Sequence, residues 1–171
     1  TKGAVYWHFK SKPDLIIALG KHMEEKIETS LQDLYRDTDT VSDLKRMFYE
    51  IIQLIVKDEQ LRKYYTIVFY RMEWTDELLS IRDFFDRQDE SMMDFVIISL
   101  KDKKSNCGIS KDLDIKSTAR ALLALVDGLL GFCLSKPGRE IKDLAQPVQI
   151  GLETFFLGLT SCEKTTPKAV G

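Results

Sequence analysis

Apolar side chains recur at three- and four-residue steps along almost the whole chain, and only four prolines and nine glycines interrupt its 171 residues. That spacing gathers apolar groups on one side of a helix, whereas a half-buried strand needs alternation. No segment alternates convincingly, so the expected fold is all-α. Ser11-Lys12-Pro13-Asp14 supplies a capping hydroxyl, a first-turn proline and an acid at the third helical position. From there Leu15, Leu19, Met23, Ile27, Leu31 and Leu34 predict one long amphipathic helix to about residue 35.

Thr40 to Asp43 repeats the cap pattern, and Leu44, Met47, Phe48, Ile51, Ile52 and Ile55 predict a helix to about residue 57. A helix over 59–74 is rich in aromatic residues. Thr75, followed by two acids, opens another, carrying Leu78, Ile81, Phe85, Met92, Phe95, Val96 and Leu100 and ending in a lysine-rich stretch at 101–104. Residues 105–114 read as a loop. Asp114 caps a helix to Leu134 that is apolar on several faces, more than a monomer surface tolerates. Lys136-Pro137-Gly138 breaks the chain, Pro147 suits the first turn of a last helix to about Leu159, and 161–171 read as a loose tail.

Composition narrows the class. Three cysteines, Cys107, Cys133 and Cys162, cannot all pair and form no CxxC, which speaks for a reducing compartment. No window approaches about 18 uninterrupted apolar residues, so no membrane span is predicted. With only His8 and His22, no Glu-x-x-His motif, no phosphate loop and no nucleophile elbow, an enzyme is a poor expectation, and no cofactor or metal site is predicted. The 25 basic against 27 acidic residues give a net charge of −2, yet the first twelve residues hold three lysines and no acid. Charge is segregated, and basic groups beside a glycine, a hydroxyl and ring donors suit phosphate and base-edge contact.

Thr1-Lys2-Gly3-Ala4-Val5-Tyr6-Trp7-His8-Phe9, followed by Lys10-Ser11-Lys12-Pro13-Asp14-Leu15, resembles the recognition helix and the start of the next helix in the TetR family of bacterial transcriptional regulators, especially its AcrR-like branch. The pattern T-[KR]-G-[AST]-[ILV]-Y-x-H-F-x-x-K-x-x-L is matched throughout; beyond these fifteen residues the likeness lies in helix count, lengths and the apolar last pair. The resemblance implies that 1–11 are the remnant of a helix-turn-helix domain, 12–35 a connecting helix, and 36–160 an effector-binding and dimerisation domain. It implies DNA contact by Thr1, Lys2, Gly3 and Ala4 at base edges or nearby phosphates, and by Tyr6, Trp7, His8 and Lys12 at the backbone, with Val5 and Phe9 buried. The two helices that precede the motif in the family are absent, and the chain opens without Met, so an upstream segment is expected.

The implied partners are operator DNA, bound by the full-length protein, a small hydrophobic effector, and a second copy held through helices 115–134 and 147–159. Gly128, Gly131, Gly151 and Gly158 would allow close helix approach there. The expected location is the cytoplasm, with no membrane partner. Aromatic and methionine density singles out Phe48, Tyr65, Phe69, Tyr70, Trp74, Phe84, Phe85, Met92 and Phe95 as effector-pocket candidates, each of them equally at home in a plain core. Glu73 and Asp127, acids inside apolar stretches, and Glu24, one residue beyond the apolar stripe, are candidates to meet a cationic or hydrogen-bonding ligand, or else to pair with Arg71, Arg120 or a tyrosine hydroxyl. Effector binding would shift the connecting helix and so the spacing of two recognition helices. Drug-efflux control and lipid or acyl-thioester sensing both fit an apolar pocket, and a helical dimer that senses such a ligand without itself binding DNA is the alternative.

Overall fold

The computed structural model describes residues 9–36, 40–72, 78–106, 109, 113–135 and 141–160. Among the described residues seven helices follow one another: α1 (Lys12–Ser30), α2 (Gln32–Arg36), α3 (Val41–Lys57), α4 (Glu59–Tyr70), α5 (Leu79–Asn106), α6 (Ile115–Leu134) and α7 (Ile141–Thr160). Among the described residues there is no strand.

The caps explain where these helices begin. The Ser11 hydroxyl accepts from the Asp14 amide at 3.2 Å. Thr40 and Asp43 close a capping box: the Asp43 amide donates to Thr40 Oγ1 at 3.2 Å, and the Thr40 amide donates to Asp43 Oδ2 at 2.8 Å. Asp58 ends α3 and caps α4, accepting from the Gln60 and Leu61 amides at 3.0 Å each. Asp114 accepts from the Lys116 amide at 3.1 Å and the Ser117 hydroxyl at 2.7 Å at the head of α6.

Helix α3 is the hub, packed against α2, α4, α5, α6 and α7. Its Leu44, Met47, Phe48, Ile52 and Ile55 are buried, against Leu122 and Leu130 of α6 and Val148, Leu152 and Phe156 of α7 in one apolar cluster. Each such side chain contributes about 1.5–3 kcal/mol on leaving water. Helix α1 lies apart from this hub, seated on α4 and α5 through Gly20, Met23 and Ile27.

Four readings change. The predicted single helix over 12–35 is broken at Leu31, which leaves helical geometry (φ −118°, ψ 16°) while its amide still donates to Ile27 O at 3.0 Å. Leu31 is buried, and Thr29 and Ser30 before it are weak helix formers whose hydroxyls compete for backbone groups. The last helix starts six residues earlier than predicted, at Ile141, so Pro147 sits inside it. Burial of Leu144 and Val148 holds the turns on either side of the missing amide. Helix α6 is long and apolar enough to cross a membrane, although no uninterrupted apolar run marks it; here it packs against α3, α4, α5 and α7. Finally, the expected loop over 105–114 gives way at its start, because α5 runs to Asn106.

Candidate effector site

Where α1, α2, α4, α5 and α6 meet, carboxyl groups, hydroxyls and rings share one poorly hydrated region. Glu24 on α1 is half-buried, and burial, reinforced by Glu28 and opposed by Lys21, pushes its carboxyl above the usual range. On α4, burial and then the charge of Glu24 push the Tyr64 hydroxyl up to about 12. The neighbouring Tyr65 is pushed up further by burial first, then by Tyr64, Glu24, Tyr35 and Asp127. Those influences put Glu24, Tyr35, Tyr64 and Asp127 within electrostatic reach of Tyr65. Asp127 on α6 retains solvent access as a residue, yet protein atoms around its carboxyl raise its pKa, with the Asp89 charge adding to the effect. Asp89 on α5 is raised likewise by desolvation and then by Asp86.

Rings wall this region. Tyr35 meets Phe95 edge-on with centroids 5.9 Å apart, Tyr64 meets Tyr65 at 5.3 Å, and Phe84 meets Phe85 at 5.5 Å. Phe85, Met92 and Phe95 are partly buried against the core. Gln88, on the same α5 stripe as Phe84, Phe85 and Met92, has its Nε2 buried with no hydrogen-bond partner among the described residues. A buried amide donor without an acceptor costs about 1–3 kcal/mol, so this position calls for an acceptor.

Among the sequence candidates, Glu24 and Asp127 act electrostatically on Tyr65, Phe95 meets Tyr35 of the same group, and Phe85 and Met92 pack against the common core. Phe48 belongs elsewhere: at 1% exposure it is a core residue of α3. Phe69 and Tyr70 are largely exposed at the end of α4, with the Tyr70 hydroxyl donating to Gly131 O on α6 at 2.6 Å. Lys12 is exposed at the head of α1. Thr1, Lys2, Gly3, Ala4, Tyr6, Trp7, His8, Glu73 and Trp74 lie outside the described residues. Two surface grooves of about 360 and 410 Å³ lie instead between α3 and α7, around Ser42, Lys45 and Glu153, and none of the effector candidates lines either. Sequence reading passed over Gln88 and Asp89. Gln88 was legible as a polar residue three positions after Phe85 and four before Met92, inside the apolar stripe.

The glycines divide. A Cβ on Gly151 would meet Leu129 at 3.2 Å, and one on Gly131 would meet the Tyr70 hydroxyl at 3.2 Å, so both serve close approach within the chain. Gly128 and Gly158 face open space, as do the largely exposed Ile150 and Leu157 of α7.

No protein-family profile matches the chain. It is 25% identical over 164 residues to the probable HTH-type transcriptional regulator ArpR of Pseudomonas putida, spanning 92% of this chain and 77% of that protein. Its backbone follows NalD of Pseudomonas aeruginosa, the secondary repressor of the MexAB-OprM multidrug efflux pump, with a TM-score of 0.76 at 24% identity over 96% of this chain and 81% of that one. SmeT, the repressor of the Stenotrophomonas maltophilia pump SmeDEF, gives a TM-score of 0.70 at 25% identity over 100% and 80%. The chain resembles helix-turn-helix regulators of the TetR family. Its all-α architecture is the TetR one, and it is a helix-turn-helix transcriptional regulator of the ligand-responsive kind. Its relatives are regulators rather than enzymes.

Proposed function

We propose that this TetR-like chain is the effector-binding and dimerising part of a cytoplasmic repressor of an efflux system, released from its operator by a lipophilic molecule that carries a cationic or hydrogen-bond-donating group. The observation that carries this reading is the gathering of Glu24, Tyr64, Tyr65, Asp89 and Asp127 where α1, α4, α5 and α6 meet, each with its titration raised by burial and by a neighbouring group's charge. A carboxylate in such a place costs free energy until a positive or donating group meets it. Gln88 adds a donor for an acceptor on the same molecule. The efflux connection is supported by the likeness to NalD and SmeT, both described as repressors of multidrug pumps.

In this reading 1–11 carry the DNA contacts of Thr1, Lys2, Gly3, Ala4, Tyr6, Trp7 and His8, Lys12 adds a phosphate contact, and α1 transmits the state of the effector domain. Two copies pair through α6 and α7, whose exposed side holds Phe132, Ile150 and Leu157 beside the open Gly128 and Gly158. The test is a mobility shift with the full-length protein and the DNA upstream of its own gene. A specific retarded complex is expected, released by tetraphenylphosphonium but at least tenfold less readily by the uncharged triphenylmethane. Absence of a specific complex overturns the repressor reading; equal release by both compounds overturns the acid-based preference.

A further inference from the structure

Gly20 is buried at the middle of α1, where that helix crosses α4 and α5. A Cβ built on it would lie 2.7 Å from Phe84 Cε1, 2.7 Å from the Tyr64 hydroxyl oxygen and 3.0 Å from Phe84 Cζ. Such distances are well inside van der Waals contact, so even one methyl group requires something to move. Ring ends give way more readily than backbone, so the outcome depends on how firmly each ring is held. Phe84 and Tyr64 are each only 6% exposed, and each is backed edge-on by its sequence neighbour, Phe85 at 5.5 Å and Tyr65 at 5.3 Å. The other party to the contact is α1 itself, which packs on α4 and α5 rather than on α3, with Met23 and Ile27 joining the common apolar cluster.

We infer that Gly20 is a positioning residue for DNA binding: the hydrogen-only surface of α1 rests on the ends of Phe84 and Tyr64, and any displacement of either ring is passed directly to the connecting helix. Tyr64 and Phe84 border the acid-lined region through Tyr65 and Phe85, so a molecule seated there presses on the contact. The inference rests on the reading of the chain as a repressor, and goes beyond it by naming the residues that carry the signal. A wedge at position 20 should imitate the effector.

Gly20→Ala, made in the full-length protein, tests this on operator DNA selected from a random library by the wild type. The expected result is operator affinity weakened tenfold or more without any effector, with helicity and dimerisation retained. The double variant Gly20→Ala with Phe84→Leu removes the colliding ring end and is expected to recover affinity to within threefold of wild type. Unchanged affinity in Gly20→Ala at unchanged melting temperature overturns the inference, as does failure of the double variant to recover. If Gly20→Ala does not fold, Tyr64→Phe reads the same contact: a threefold or larger change in operator affinity at unchanged melting temperature supports the inference, and no change overturns it. A wild type that selects no DNA refutes the repressor reading instead.

Discussion

Asp127 shows how a single side chain can be costly to the resting fold and useful to function. Its carboxyl is raised by desolvation and by Asp89, so in the folded chain the charged form is disfavoured relative to the unfolded chain. The cost is present at neutral pH, and it fades as pH falls through the raised value toward that of an ordinary carboxylate. Asp127→Asn should therefore raise the melting temperature at pH 7, with the difference closing by about pH 3, below the ordinary carboxylate value. Melting curves at both pH values check the sign; a lower melting temperature for Asp127→Asn at pH 7 would contradict it. Glu24 and Asp127 were legible in the sequence as acids set in or beside apolar runs. Gln88 escaped because an amide in an apolar stripe attracts less notice than a charge, and Gly20 because nothing in a sequence shows which rings a glycine touches. Phe48 misled in the opposite sense, since an aromatic residue reads alike in a core and at a pocket wall.

Among the elements, those with chemically explicit caps were readable nearly to the residue. Thr40 with Asp43 and Asp114 with Ser117 mark helix starts through hydrogen bonds that the chain makes locally. Thr40→Ala removes the hydroxyl half of its box while the backbone amide can still donate to Asp43, and should cost about 1 kcal/mol, seen as a melting temperature lower by about 2–4 °C; an unchanged melt would mean that α3 is held by packing alone. Where tertiary packing overrides a local preference, sequence reading erred. Pro147 looks like a helix start, yet Leu144 and Val148 bury the turns around it and the helix extends back to Ile141. Leu31 belongs to the α1 stripe by spacing, yet its burial coincides with the break before α2. Fold class survives such errors because it depends on the period of the pattern, not on the ends.

For the whole molecule, the apolar surface that remains on α6 and α7 sets the expectation. Ile150 and Leu157 are 54% and 64% exposed on the side of α7 where Gly158 has no neighbour. Replacing both with glutamate should leave the monomer core intact and convert the protein from dimer to monomer at micromolar concentration, measured by light scattering after gel filtration. A dimer that survives would place the interface elsewhere. The recognition-helix motif carried the resemblance to TetR regulators, while its residues 1–8 lie outside the described residues. The effector region was only partly legible, because it is assembled from five helices whose meeting point no local pattern records.

The tie between Lys26 and the α3–α4 junction has a mechanical consequence. Its ammonium lies 2.6 Å from Asp58 Oδ2 and 3.0 Å from Gln60 Oε1, fixing α1 to the corner where α4 begins. At 1.5 Å of rise per residue, Gly20 stands about 9 Å along the axis from that fixed point and Lys12 about 21 Å. If the helix turns about its tether as a stiff rod, a displacement at Gly20 is multiplied by about 2.3 at the end that leads into the recognition helix. A shift of about 1 Å at the ring contact becomes more than 2 Å at the DNA-proximal end.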